Sequence, residues 1–429
     1  MIFRTLLSVT IIGSLISCTS STVPKMNPEI QTQDILDHIT FLASDSLQGR
    51  EAGTLHEATA ANYIADYFRD FGLEPAGDNE TYFQTFTINT AVLNNPHATE
   101  DSEGEKRLSK NVVGYLQGTG GGDEYIVIGA HYDHLGLGDH GSLYRGEPRI
   151  HNGADDNASG TAGLLELANY FAANKPTKDI LFIAFSGEEM GLLGSAHYVE
   201  SPTIPLDNAL AMINMDMIGR MSNNKLLIFG MGTAEDWPEI MEVANTDSLS
   251  LNLVKDGTGA SDHTSFYYKN IPVLHYFTDT HADYHKPSDD TDYINVEGEA
   301  LILHHIKRVV EYLDSIQKEQ LAFQEASGEQ RQTMRLEGPT LGVLPDYGYD
   351  GKGMKITGVT KDRAAELAGV KGGDIIIKIG GEDLDDIYAY MSMLNKLEKG
   401  QKTTITVLRD GNELTLDLQL WANILEPKH

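Results

Sequence analysis

Short unbroken apolar runs alternate along this chain with longer segments of helical spacing. Gln33 to Leu47 puts Ile35, Leu36, Ile39 and Leu42 on one helical face. Leu55 to Phe71 repeats the pattern with Ile64, Tyr67, Phe68 and Phe71, and Gly72 supplies a C-terminal stop. Tyr82 to Ile88 alternates like a half-buried strand, and Asn94 to Lys110 is polar and acidic, which predicts a loop. Further strands are predicted at Asn111–Leu116, Tyr125–Ile128, Ile180–Phe185, Leu210–Met215, Leu226–Phe229 and Ile271–Phe277. Helices are predicted at Ser159–Asn174, from Glu188 onward, and over Val296–Gln324 as one piece or two. This alternation predicts a three-layer α/β/α sandwich around a mostly parallel mixed sheet. Glu325 to Glu337 is polar and reads as a linker with a boundary near Gln330; beyond it come short strands, many glycines and one helical patch. The expected division is a leader over 1–18, a tether over 19–32, an α/β domain over 33–325, a linker over 326–338 and a small β-rich domain over 339–425.

The candidate chemistry follows the predicted strands. In such sheets ligands bind beyond the carboxyl ends of the strands. His131 follows Tyr125–Ile128, Glu188 and Glu189 follow Ile180–Phe185, Asp216 follows Leu210–Met215, and His285 lies beyond Ile271–Phe277. Between them Gly153-Ala154-Asp155-Asp156-Asn157-Ala158-Ser159-Gly160 sets two adjacent carboxylates among glycines. Asp155 reads as a carboxylate shared by two metal ions. Two His, three carboxylates and no Cys suit zinc, or manganese or cobalt by ligand type. Three carboxylates and one hydroxide balance two divalent ions, and water between two such ions ionises near neutral pH. His131 and Asp133 are two apart at a strand end, so Asp133 is placed to accept the proton of the non-ligating His131 nitrogen. Of Glu188 and Glu189, one can bind metal while the other takes a proton from the water. Each residue also has an ordinary reading: Glu-Glu can complement a helix dipole, and Asp-Asp can cap the helix after it. Their joint placement at successive strand ends favours a site.

Composition narrows the partners. The 429 residues suit two or three domains, and 41% hydrophobic content is that of a globular chain. The net charge of −31 argues against nucleic acid and against electrostatic adhesion to anionic lipid. Leu6 to Ile16 is an apolar run too short for a stable membrane span, and it ends in Ser17-Cys18. A small residue before Cys resembles the bacterial lipoprotein signal, which implies lipidation at Cys18 and export to a bacterial membrane surface, with membrane contact only through the lipid anchor. Cys18 is the one cysteine, so no intrachain disulfide is available.

The segments Gly129-Ala130-His131-Tyr132-Asp133-His134-Leu135-Gly136, Asn152 to Gly160 and Phe185 to Ser195 resemble the co-catalytic di-zinc aminopeptidase family. Asn214-Met215-Asp216-Met217 and Tyr284-His285-Lys286-Pro287-Ser288-Asp289 are similar to its later ligand motifs, and Leu47–Gly53 with the following helix is similar to bacterial members. The likeness runs from about residue 33 to about residue 320. It implies a zinc-exopeptidase fold with two zinc ions. One ion takes His131, Asp155 and Asp216; the other takes Asp155, Glu189 and His285. It implies that a metal-bridging hydroxide attacks the scissile bond, with Glu188 as general base and Asp133 orienting His131. Some relatives have a Tyr before their Ser-Asp-His segment; here Asp256 to Ala260 precedes Ser261-Asp262-His263 and holds none. Asp262 and His263 line the substrate pocket or brace it.

Thr340 to Leu420 resembles a PDZ domain of the bacterial protease type, on Leu341-Gly342-Val343, Gly358-Val359 and Ala364 to Ile376. The resemblance implies that Leu341, Gly342 and Val343 form the loop that grips the C-terminal carboxylate of a peptide ligand. A cap without ligand is the plainer reading of that module. The whole sequence thus reads as a zinc-dependent exopeptidase taking N-terminal residues from peptide substrates. Glutaminyl cyclisation or carboxypeptidase action of the same clan, and a non-catalytic peptide-binding lipoprotein, are the alternatives.

Overall fold

A computed structural model describes residues 26–90, 104–144, 146–326 and, apart from short breaks, 341–420. The predicted leader, Cys18 and most of the predicted linker lie outside the described residues.

The sheet is organised by four neighbouring parallel strands. These are β4 (Tyr125–His131), β5 (Asp179–Phe185), β6 (Ala209–Met215) and β9 (Val273–Phe277), in the order β5-β4-β6-β9. Every residue of the four is buried. That is why they read as continuous apolar runs rather than alternating ones. On one edge β3 (Lys106–Leu116) runs antiparallel to β5 and carries β1 (Glu74–Pro75) and β2 (Phe83–Asn89). On the other, β7 (Lys225–Phe229) runs antiparallel to β9 and parallel to β8 (Ser250–Leu253).

Alternate strand residues feed two cores. Ile126, Ile128, Ile180, Phe182 and Ile213 face the helices α1 (Thr32–Leu42), α2 (Leu55–Asp70), α3 (Gly160–Ala173), α5 (Trp237–Ala244) and α7 (Val296–Ser315). Val127, Leu181, Ile183, Phe185 and Met212 face α4 (Leu193–Glu200) and α6 (His263–Tyr267). The result is the three-layer sandwich with a mostly parallel sheet. Ile35, Ile39 and Leu42 form the buried stripe of α1 at the expected spacing. Thr54 caps α2 by accepting from the Glu57 amide at 3.2 Å.

Several boundaries differ from the sequence reading. The helix expected over Gln33–Leu47 ends at Leu42 and gives way to a short 3-10 turn over Asp45–Leu47. The segment expected to be a loop up to Lys110 is already strand from Lys106, its backbone paired antiparallel with β2. No helix begins at Glu188: Gly187, Gly191 and Leu192 have φ of +71°, +100° and +61°, so the chain coils tightly until Leu193. The last long helix stops at Ser315. Helix α5 and strand β8 were not expected.

The C-terminal region has a separate antiparallel sheet. It runs β10 (Val343–Pro345), β11 (Met354–Val359), β12 (Ile375–Ile379), β14 (Lys402–Arg409), β15 (Asn412–Gln419), with β13 (Glu382–Asp383) on β12. Its core, including Leu341, Ile356, Ile376, Ile405 and Leu418, is distinct from those of the large domain. Leu394 and Leu397 belong to that core.

One early residue ties the large domain together. The Arg50 guanidinium is buried and donates to four carbonyls: Leu42, Tyr132, Asn152 and Gly153, at 2.5, 2.9, 2.6 and 3.1 Å. It thereby joins the end of α1 to the loop after β4 and to the turn before α3. Removing it takes a donor from all four carbonyls, and only that of Gly153 keeps another, the Ala158 amide at 3.1 Å, among the described residues. Arg50→Ala is expected to lower unfolding stability by roughly 3 kcal/mol or more. Arg50→Lys should recover little, since one ammonium cannot fan out to all four. Denaturant unfolding of the three proteins checks this.

Candidate metal centre

The C-terminal ends of β4, β5, β6 and the loop after β9 converge on one buried cluster. His131 Nε2 lies 3.3 Å from Asp216 Oδ1, 3.5 Å from Asp156 Oδ1 and 4.0 Å from Glu188 Oε2. His285 Nε2 lies 3.2 Å from Asp156 Oδ2 and 3.2 Å from Glu189 Oε2. Asp156 therefore presents one carboxylate oxygen to each imidazole. His131 Nδ1 donates to the Asp133 carbonyl at 3.2 Å and faces its carboxylate at 3.6 Å. That same carboxylate accepts the Glu188 amide at 3.2 Å, so one residue braces both sides of the cluster.

This geometry corrects the sequence reading of Asp155. Its Oδ1 accepts from the Gly219 amide at 2.7 Å and from the Ser159 hydroxyl at 3.2 Å, and its Oδ2 accepts from His281 Nε2 at 3.1 Å. Asp155 is fully occupied beneath the site, and its neighbour Asp156 is the shared carboxylate. The reason is local. Gly153 takes φ of +56°, and Asp156 leaves helical conformation at φ −103°, ψ 96°. The two adjacent side chains consequently point apart. Sequence spacing does not distinguish neighbours in such a turn.

The turn is fixed by side chains that the sequence reading did not single out. The Asp289 carboxylate accepts the Asp155 amide at 3.1 Å and the Asp156 amide at 3.0 Å. Burial, and then the Asp155 charge, push that carboxyl up to about 6. Asp289 sits inside a motif segment that the sequence did flag, which was the available signal. Asn157 donates to the Met215 carbonyl and accepts from the Met217 and Gly160 amides, tying the turn to the loop that carries Asp216. His134 is a further unassigned neighbour, with Nδ1 2.7 Å from Glu189 Oε1 and 3.8 Å from Asp156 Oδ1. A cleft lined by Glu51, Leu135, Asp139, His140 and Met190 leads to His134 and Glu189.

Asp262 and His263 do not line an open pocket. Both are fully enclosed, and His263 stacks on His275 with ring centroids 4.4 Å apart. Burial pushes the Asp262 carboxyl up to about 7 against the pull of His131.

Charge in the cluster is unevenly distributed. Burial pushes the Glu188 carboxyl well above the usual carboxylate range, with His131 pulling against it. Burial acts the same way on Glu189, but His285 and His134 outweigh it and hold that carboxyl well below the range. Burial disfavours a charged imidazole at His131 and His285; carboxylates outweigh it at both and hold them well above the usual imidazole range. The carboxylates thus already gather positive charge, and an entering cation displaces those protons.

The donor set fits divalent metal. His131, Glu188 and Asp216 offer donor atoms within 4.8 Å of one another, as do His134, Asp156 and Glu189. Buried Asp133 Oδ2, Glu189 Oε1 and both His134 ring nitrogens have no hydrogen-bond partner. Imidazole and carboxylate without thiolate is the chemistry of catalytic zinc.

Residues 111–311 match the model of peptidase family M28 and residues 329–420 match that of the PDZ domain. The large domain is thus similar to M28 peptidases and the C-terminal region to PDZ domains, in line with the likeness that the motifs conveyed. It is 30% identical over 189 residues to Aminopeptidase YwaD of Bacillus subtilis, 41% of this chain and 38% of that one. The chain spans about a third of the length of the first curated relatives it matches, from 28% to 38%. Its fold is that of a zinc aminopeptidase from Bacillus subtilis, TM-score 0.53 at 19% identity, over 70% of this chain and 100% of that one. A glutaminyl cyclase of Bacteroides thetaiotaomicron shares it, TM-score 0.53 at 17% identity, over 66% and 98%.

The orientation of Asp156 and Asp155 makes a sharp contrast. Asp156→Ala is expected to abolish tight binding of zinc by the purified protein. Asp155→Asn should retain metal while losing stability on the order of 1–3 kcal/mol, because it disturbs buried hydrogen bonds only. Zinc content after gel filtration and a denaturant melt separate the two; metal loss in Asp155→Asn with metal retained in Asp156→Ala reverses the assignment.

Proposed function

We propose that this chain is a zinc-dependent aminopeptidase that removes N-terminal residues from peptides at a centre of two ions. The observation that carries this reading is Asp156, whose two carboxylate oxygens lie 3.5 and 3.2 Å from His131 and His285 Nε2. His131, Asp156 and Asp216 are assigned to one ion, and Asp156, Glu189 and His285 to the other. Bound zinc supplies Lewis acidity toward the scissile carbonyl and a lowered pKa for water.

The protein's own groups do the rest. Glu188 belongs to neither assigned set. It is the general base, taking the proton of the attacking water and delivering it to the leaving amine. A buried carboxyl with a raised proton affinity suits both halves of that transfer. Asp133 is a positioning residue, holding the His131 ring and the Glu188 backbone from one side chain. Manganese or cobalt would satisfy the same donors.

Two proposals concern the ends of the chain. Cys18 is the assigned lipid attachment site of an exported, membrane-anchored protein; Cys18→Ser is expected to move the expressed protein from the membrane to the soluble fraction. The loop Leu341-Gly342-Val343 is assigned to a peptide carboxylate. Gly342 there has φ of +77°, and the Leu341 carbonyl accepts from the Ala365 amide at 2.9 Å, which fixes the loop before β10. A peptide bound there should lose affinity when its C-terminus is amidated.

Aminoacyl and N-acetylated substrates test the main reading. Blocking the amine is expected to abolish cleavage; cleavage of blocked substrates at full rate would exclude an aminopeptidase. Cyclisation of N-terminal glutaminyl peptides without cleavage would favour the cyclase alternative. Glu188→Gln is expected to lower kcat by a factor of about 10² to 10⁴ with zinc content unchanged.

A further inference from the structure

We propose that His134 is itself a metal ligand, joining Asp156, Glu189 and His285 in the half of the centre opposite His131. This rests on the dinuclear reading above and adds a ligand to it.

The His134 ring is fully buried, and neither nitrogen has a hydrogen-bond partner. Nδ1 lies 2.7 Å from Glu189 Oε1, yet both atoms are left without a hydrogen bond, because the contact misses the necessary alignment. The Asp156 Oδ1 atom is 3.8 Å from the same nitrogen. The imidazole thus meets two carboxylates at close range, pairing with Glu189 by charge but making a well-aligned hydrogen bond to neither. His285 reaches the same two carboxylates at 3.2 Å each, with its ring edge-on to His134 and 5.9 Å away. The ring is also held from behind. A Cβ on Gly153 would sit 2.5 Å from His134 Cδ2, so the turn that carries Asp156 is built around this imidazole. A buried imidazole with no partner is unfavourable unless something else satisfies it. A divalent ion between His134, Asp156, Glu189 and His285 satisfies His134 and Glu189 together.

The experiment uses the full chain loaded with zinc. A crystal structure with zinc anomalous scattering is expected to show His134 Nδ1 at about 2.0–2.1 Å from one ion. His134→Asn keeps an N–H donor near the Nδ1 position but is a poor zinc ligand. It is expected to weaken one of the two zinc affinities by more than roughly 100-fold, beyond the 10–100-fold typical of a residue that only orients a ligand. Unchanged circular dichroism and thermal melting of the metal-free variant would show that folding is intact. A zinc-loaded structure with His134 out of bonding range of both ions overturns the proposal, as does wild-type zinc affinity in His134→Asn. Fewer than two zinc ions in the wild type would instead sink the dinuclear reading itself.

Discussion

The direction of the Asp156 side chain decides what the rest of the cluster can do. Only a carboxylate facing both His131 and His285 can join ligands that come from opposite sides of the sheet end. That direction is set by the backbone rather than by the side chain's own contacts. Asp289 accepts the amides of both Asp155 and Asp156. Asn157 locks the following residue to both ends of the Asp216 loop. Arg50 grips the carbonyls just before the turn. Fixing groups of this kind hold a site to tolerances that the ligands alone do not impose.

Burial makes the arrangement electrostatically expensive and chemically useful. Asp133, Asp156, Glu188, Glu189 and Asp216 crowd around three imidazoles and one guanidinium at the bottom of the cleft. Like charges at this separation in a poorly solvated site disfavour one another. The protein answers by splitting the roles of neighbours. Glu189, beside His134 and His285, is held ionised, and Glu188, facing His131 with less compensation, is held ready for a proton. Two adjacent glutamates thereby acquire opposite acid–base character from their surroundings.

The scaffold explains why these side chains meet at all. Parallel strands β5, β4, β6 and β9 end at one level, and each delivers its loop to the same place. Full burial on both faces holds those ends rigid. The flanking antiparallel strands close the sheet without contributing ligands.

Much of this was written in the chain itself. Unbroken apolar runs named the central strands, because a strand covered on both faces has no polar side to show. The ligand types and their positions after those strands named the kind of chemistry, and a change in composition separated the C-terminal module. The tertiary structure decided what neighbours in sequence cannot tell apart. Asp155 and Asp156 are equivalent as letters, and the turn's dihedrals alone send one beneath the site and the other into it. His134 is one residue from Asp133, but its place beside Glu189 depends on the β5 loop. The delayed start of the helix after Glu188 depends on glycines and Leu192 in left-handed conformation. Arg50 and Asp289 act on backbone atoms about a hundred residues away, and such partners exist only once the sheet has brought the loops together.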